Sequence, residues 1–401
     1  MKKRSPLILL LACFLGCAYA MTIVDTHATK VGDLSGVTTL RAIRTQSLYQ
    51  LKWRRPGSQS GRSQFTTQVS ATSTGQVRPA PPSAHWLGLI GEYGPDDNIL
   101  YILEQDQRLY YLLRNVASKP KTVKSGELEP LEEVSKNLFR FSAYTSHNGE
   151  SLAFTRDSKG RATQVKIGNL VLQRRKIGPE PGSNQLRINP VRPVSELMKE
   201  ARAAQPPTES GNFRPPDLVE LVTLDPTLKP EIRYATTNNF LGAVFYSAAR
   251  AFLQRPAAEA VVRANRKLKA RGYGLLIHDA YRPWYVTKVF WEATPDDKKV
   301  FVADPSKGSR HNRGCAVDLT LYNLKSGSPV EMVSTYDETS DRAYPDYPGG
   351  TSLQRWHRQL LRDVMESEGF TVYEAEWWHF DYQDWRKYPI GNVTFEAIGN
   401  R

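Results

Sequence analysis

Three textures of apolar and polar residues follow one another along the chain. Residues 21–83 are polar, basic and turn-rich, with Gly57-Ser-Gln-Ser-Gly61 and Pro79-Ala80-Pro81-Pro82, the composition of a linker or arm. Only 48–53 alternates there as a strand would. From His85 onward, short apolar runs recur at 86–90, 99–103, 109–113, 138–141, 151–154 and 164–172, divided by turn residues such as 104–108 and Asp157-Ser-Lys-Gly160. This spacing predicts a β-meander, so residues 84–176 are read as a small all-β domain. Residues 177–216 form a Pro-rich connector interrupted by one helix over 194–203.

Residues 217–401 alternate helical and strand periods. Ala260, Val261, Ala264 and Leu268 share a helical face, which predicts a helix over 257–271 closed by Gly272. Residues 274–278 read as a buried strand, and 283–293 and 354–368 as helices, the last ended by Gly369. Over 315–321 polar and apolar residues alternate, placing Ala316, Asp318 and Thr320 on one strand face and Val317, Leu319 and Leu321 on the other. The expected fold class is α+β: a C-terminal domain with a central antiparallel sheet flanked by helices, preceded by the small all-β domain.

The first 20 residues change the picture of where such a chain works. Lys2-Lys3-Arg4, an apolar stretch over 7–15 and Ala18-Tyr19-Ala20 form an export signal, so the expected location is the periplasm or cell envelope. Cys17, after Phe14-Leu15-Gly16, offers lipoprotein processing as a competing reading. Cys13 and Cys17 fall in the signal, which leaves Cys315 alone and predicts a buried thiol without a disulfide. Net charge is +13, yet residues 1–210 hold 29 Lys and Arg against 17 Asp and Glu, while 211–401 hold 25 against 24. The basic excess thus belongs to the front half; it suits an anionic envelope surface, or is merely solvated charge. No basic-aromatic constellation argues for nucleic acid.

The candidate chemistry lies in two clusters: Ser309-Arg-His311-Asn-Arg-Gly314-Cys-Ala316-Val-Asp318 and Glu376-Trp-Trp-His379. They offer two imidazoles, a carboxylate ligand and a spare carboxylate, the inventory of a catalytic zinc site. Asp318 on an apolar strand needs a cation opposite: a metal shared with His311, or a salt bridge from Arg310 or Arg313. Glu376 and His379 stand three apart in a strand-like context, so a bulge or strand end has to bring both to one place. His278 is expected in the core or behind the site, and His357 on a helix surface.

These residues resemble a known family. Ser-x-His-x6-Asp followed by Glu-x-x-His is similar to the zinc D,D-peptidases, which include D-alanyl-D-alanine dipeptidase (VanX-type) and the D-Ala-D-Ala carboxypeptidases. Arg233-Tyr234-Ala-Thr-Thr-Asn-Asn-Phe240-x-Gly242, Asp279-Ala-Tyr-Arg282-Pro283 and Met332-Val-Ser-Thr-Tyr-Asp337-Glu338 resemble further dipeptidase segments. The likeness runs from about 217 to 388. It implies one zinc ion on His311, Asp318 and His379, Glu376 as general base and Arg282 on the oxyanion. It also implies Asp337, Tyr234 and Ser309 around the ammonium of a dipeptide. Arg282 could equally serve only a salt bridge with Asp279, and Asp337 only a turn. Val333 and Tyr336 stand where the dipeptidases usually have Gly and Phe. The expected activity is hydrolysis of D-Ala-D-Ala or a similar dipeptide in cell-wall turnover. A D,D-carboxypeptidase or L,D-endopeptidase on peptidoglycan, or a non-catalytic wall-binding protein, are the alternatives. The 84–176 region loosely resembles lipocalin-like accessory domains of envelope hydrolases, through Leu89-Ile-Gly-Glu-Tyr93 and the 154–160 turn.

Overall fold

The computed structural model describes residues 38–44, 47–53, 77–115, 128–142, 149–177 and 187–399. The segment 1–20 read as an export signal, with Cys13 and Cys17, lies outside the described residues. The chain divides into two compact units, 1–72 and 73–401. In the first, β1 (Thr38–Arg44) and β2 (Ser47–Trp53) pair antiparallel, in line with the alternation at 48–53.

The second unit begins with α1 (Ala84–Leu87) and a run of strands: β3 (Gly91–Tyr93), β4 (Asn98–Gln105), β5 (Arg108–Asn115), β6 (Glu129–Ser135), β7 (Leu138–Phe141), β8 (Ser151–Arg156), β9 (Ala162–Ile167) and β10 (Leu170–Gln173). Each pairs with the next in one eight-stranded antiparallel sheet. Its first and last strands meet at a Tyr93–Arg174 bridge, with Gly94 N donating to Gln173 O and Arg175 N to Glu92 O, both at 2.9 Å. The meander therefore closes into a barrel, which removes its edges. Tyr93, Phe139, Phe141, Phe154 and neighbouring aliphatic side chains fill the interior.

Three sequence expectations need correction here. The 86–90 run is no strand; α1 turns the chain so that Leu89 drops into the barrel core, fixed by Leu89 N to Trp86 O at 2.7 Å and by the Tyr93 hydroxyl on Leu89 O at 2.6 Å. The 164–172 run is two strands, because Gly168 takes a positive φ of 54° and turns the chain back. Strand β6 escaped notice because only Leu131 of its seven residues is buried.

After the connector helix α2 (Val194–Ala203) come β11 (Leu218–Glu220), α3 (Leu221–Leu224), β12 (Lys229–Pro230), β13 (Phe252–Gln254), α4 (Arg255–Lys269), β14 (Tyr273–Asp279), α5 (Trp284–Ala293), β15 (Ala316–Asn323), α6 (Ser352–Glu366), β16 (Phe370–Tyr373), β17 (Glu376–Tyr382) and α7 (Phe395–Gly399). The main sheet runs β12-β14-β15-β17-β16, antiparallel except for the β12–β14 pair. Val317, Leu319 and Leu321 of β15 join one core with Ala260, Val261 and Ala264 of α4 and Leu361 of α6, all essentially without exposure. Burying each of these Val and Leu side chains contributes about 2 kcal/mol, which is what holds the sheet against its helices. His357 belongs to this buried face of α6, bonded to the Tyr273 hydroxyl at 3.0 Å, and not to the helix surface. The Gln and Arg residues around it, Gln354, Arg355, Arg358 and Gln359, disguised an inward position.

The barrel and the main sheet are joined by polar contacts. Glu104 on the β4–β5 hairpin accepts from Ser352 N at 2.8 Å, at the start of α6, and Arg355 donates to Glu104 O at 2.7 Å. Tyr347 donates to Glu92 at 2.8 Å. The Pro-rich connector is also pinned: Glu209 accepts from Arg313 and from Ile390 N. Among the described residues, no helix is long and apolar enough to cross a membrane.

Candidate active site

Strand pairing assembles the site. Asp318 on the central β15 faces His379 of β17 on one side and Asp279 of β14 on the other, so the register sets an acid, an acid and an imidazole abreast. His311 arrives from a single helical turn, His311–Arg313, that ends at Gly314 with φ 65°. A Cβ at Gly314 would come within 2.6 Å of Leu218 and 3.3 Å of Gln254 N, so glycine is needed both for the turn and for the close passage of β13. Glu376 reaches the site through an irregularity: β16 and β17 pair at Val372–Phe380 and next at Tyr373–Glu376, so 377–379 bulge from the ladder. This is the device the i, i+3 spacing of Glu376 and His379 required.

Three ligand atoms converge. His311 Nε2 lies 3.1 Å from His379 Nδ1 and 3.3 Å from Asp318 Oδ1, and His379 Nδ1 lies 3.1 Å from that same oxygen. For ligands at about 2.0–2.1 Å from a tetrahedral ion, the edges are about 3.3 Å long. The triangle therefore fits a zinc-sized ion, and His311, Asp318 and His379, all buried, are the group that could hold one. Two further observations agree. Asp318 Oδ1 is buried without a hydrogen-bond partner, an atom aimed at the centre of the triangle. Both imidazoles are held by their other nitrogen: His311 Nδ1 donates to Ala280 O at 2.7 Å and His379 Nε2 to Asp381 Oδ1 at 2.9 Å. Those bonds leave lone pairs on His311 Nε2 and His379 Nδ1, facing inward.

The electrostatics call for positive charge. Burial works against the His379 imidazolium, but Asp318 and Asp381 more than offset it and push the ring up to about 10. Burial likewise opposes ionisation of Asp318, yet His311 and His379 hold its carboxyl well below the ordinary range. A divalent ion satisfies the same carboxylates with both rings neutral. Neither Arg310 nor Arg313 neutralises Asp318: Arg310 pairs with Asp381 at 3.2 Å and Arg313 with Glu209. The salt bridge from Arg310 or Arg313 to Asp318 thus gives way to the metal-like cluster.

The remaining residues border one cavity of about 370 Å³, shared by Tyr234, Arg282, Ser309, Asp337 and Glu376 with the three ligands. Glu376 keeps about a fifth of its side chain exposed to the opening, and its carboxylate lies 3.7 Å from His379 Nδ1. Burial pushes its carboxyl up to about 7, with His379 opposing and Asp318 adding to the rise. Arg282 is clamped by Asp279, 2.9 Å from Nε and 2.7 Å from Nη2, and keeps Nη2 3.9 Å from Asp318. Its salt bridge and its aim into the cavity are one arrangement. Asp337 sits at φ 61°, a left-handed turn position, and accepts from the Tyr234 hydroxyl at 3.2 Å to each oxygen. It is both the turn residue and a group turned to the site. Burial, then Asp318 and Glu376, push the Asp337 carboxyl well above its usual range. Ser309 lines the rim, its hydroxyl accepting from His311 N at 3.2 Å.

Sequence reasoning named the Asp279–Arg282 salt bridge but missed Asp381 and Ala280. Asp381 carried a signal, since a carboxylate two residues beyond a strand histidine shares its face. Ala280 O carried none, because a backbone acceptor is invisible in residue type.

A family profile described as D-ala-D-ala dipeptidase matches residues 216–395. A D-alanyl-D-alanine dipeptidase of Escherichia coli is 34% identical over 174 residues, covering 43% of this chain and 89% of that protein. Enzymes of the same name from Enterococcus faecium and Enterococcus faecalis are 33% and 34% identical over 186 residues, each covering 41% of this chain and 90% of the relative. With the motifs, the site geometry and relatives matched over nearly their whole length in agreement, the chain belongs to the D-alanyl-D-alanine dipeptidase family of metallopeptidases.

Proposed function

We propose that this enzyme hydrolyses D-Ala-D-Ala, or a closely similar dipeptide with a free ammonium, using a zinc ion held by His311, Asp318 and His379. The observation that carries the reading is one cavity lined both by the metal-ligand triangle and by the buried Asp337, which accepts from Tyr234. A zinc ion there would supply a Lewis acid for the amide carbonyl and an acidified water. Glu376, open to the cavity beside His379, takes the proton of the attacking water and returns it to the leaving amine. Arg282, immobilised by Asp279, presents its guanidinium to the charge that develops on the carbonyl oxygen. Asp337 and Tyr234, with Ser309 on the lining of the same cavity, receive the ammonium. The names of the relatives support the choice of substrate.

The basic, apolar and small-residue succession at 1–20 supports export, and with it a role in turnover of wall-derived peptides outside the cytoplasm. Cell fractionation of the full chain checks this; recovery of uncleaved protein in the cytosol would sink it. The mechanism is tested by zinc content and D-Ala-D-Ala turnover of wild type and Glu376→Ala. Retained zinc with lost turnover is expected, and turnover that survives the substitution removes Glu376 as the base.

A further inference from the structure

One buried hydroxyl in the site has no part in the steps above. Tyr336 adjoins Asp337, is 5% exposed, and packs its ring 4.6 Å from His278 and 5.6 Å from Trp378. Its hydroxyl donates to Asp318 Oδ2 at 2.9 Å and lies 3.2 Å from the Tyr234 hydroxyl. Tyr234 in turn reaches Asp337. The two oxygens of Asp318 are thereby made unequal: Oδ1 faces the imidazoles without a hydrogen bond, while Oδ2 is held from behind.

A phenol has one proton, and the shorter contact to a carboxylate is the stronger one. With its proton on Asp318, the Tyr336 oxygen can accept from Tyr234. An ammonium on Asp337 takes over that carboxylate and frees the Tyr234 proton to turn toward Tyr336. Hydrogen bonds in such a chain strengthen one another.

We propose that Tyr336 is a positioning residue that fixes which oxygen Asp318 turns to the metal and connects that ligand, through Tyr234, to the amine end of the cavity. The inference deepens the zinc-site reading and rests on it. A hydroxyl at this point makes metal retention answer to Tyr234, a residue that hydrogen-bonds none of the three ligands among the described residues.

The test is Tyr336→Phe, which keeps the ring packed on His278 and Trp378. Zinc affinity is measured on the full chain by competition with a chromophoric chelator, without substrate. Removing such an outer partner is expected to weaken zinc binding about 10-fold, while the urea midpoint of the zinc-free protein stays at the wild-type value. Tyr234→Phe should weaken zinc binding several-fold in the wild-type background and have no further effect in the Tyr336→Phe background, the signature of a shared path. Zinc affinity of Tyr336→Phe within twofold of wild type overturns the proposal. So does a Tyr234→Phe effect that persists undiminished in the double variant, or a zinc-free midpoint that falls, which would assign the loss to packing. Absence of dipeptide turnover by the wild type would instead strike the proposed substrate, since none of the zinc measurements needs turnover.

Discussion

Replacing Asp381 by Asn isolates the support of one metal-facing histidine. In the native protein His379 Nε2 donates to Asp381 Oδ1 at 2.9 Å, and Arg310 holds the other oxygen at 3.2 Å. The substitution keeps the shape and removes the charge. A hydrogen bond to a charged partner contributes about 1.5–3 kcal/mol and a neutral one about 0.5–1.5, so the loss at His379 is on the order of 1–1.5 kcal/mol. That corresponds to roughly 10-fold in zinc affinity, the lower end of what removal of such partners costs. If the amide turns its NH₂ toward His379, the ring must surrender its Nε2 proton, and the loss approaches 100-fold. The assay is chelator competition on the full chain, with the urea midpoint of the zinc-free form as control. A zinc dissociation constant within twofold of wild type would refute the claim that Asp381 sets the tautomer. An equal fall in the zinc-free midpoint would refute it too, by making the effect one of folding.

Further outcomes follow from the same geometry. Asp337→Asn should lower kcat/KM for D-Ala-D-Ala about 10- to 100-fold, the range for losing a charged partner, and spare N-acetyl-D-Ala-D-Ala; equal losses on both would remove Asp337 from amine recognition. His357, buried on α6 and then disfavoured further by Arg78, titrates at about 4 in the fold. Because this lies below the unfolded value of about 6.5, only the unfolded chain binds the proton, and stability falls as pH drops from 6.5 toward 4. His357→Gln should flatten the urea-derived stability difference between pH 7 and pH 4.5 by roughly 2 kcal/mol relative to wild type, and an unchanged difference would contradict the burial of that ring. Zinc at about 1,000 times its dissociation constant should stabilise the fold by roughly 4 kcal/mol, lost on adding dipicolinate; a melting temperature indifferent to chelator would argue against a resident ion.

Much of the catalytic half was legible because its signals are local. The alternation around Asp318 gave its strand, Gly272 and Gly369 marked the ends of α4 and α6 within a few residues, and Glu-x-x-His announced a bulge before its partner strand was known. Contacts that depend on distant pairing were not legible. Nothing near His311 in sequence names Ala280 O, and Glu209 in a Pro-rich stretch gives no hint that it will meet Arg313 and Ile390 N. His357 was misplaced because Gln354, Arg355, Arg358 and Gln359 around it read as a solvated face, whereas Arg358 turns inward to Tyr347 O. The barrel was legible as a meander but not as a closed one, since closure depends on the single meeting of Tyr93 and Arg174 at its two ends.

The seam between barrel and main sheet bears on where this protein can be cut. Truncation at 216, where the family match begins, would take away the Glu104 carboxylate that receives Ser352 N and the Glu92 carboxylate that receives Tyr347. The first turn of α6 would keep its Thr351–Gln354 capping box but face water where it now faces a hairpin, and Arg355 would lose its acceptor on β4. The barrel is thus no passenger on a tether. It is part of the wall against which the 341–352 segment is moulded, and a trimmed protein would need new side chains at Tyr347 and Arg355 to stand alone.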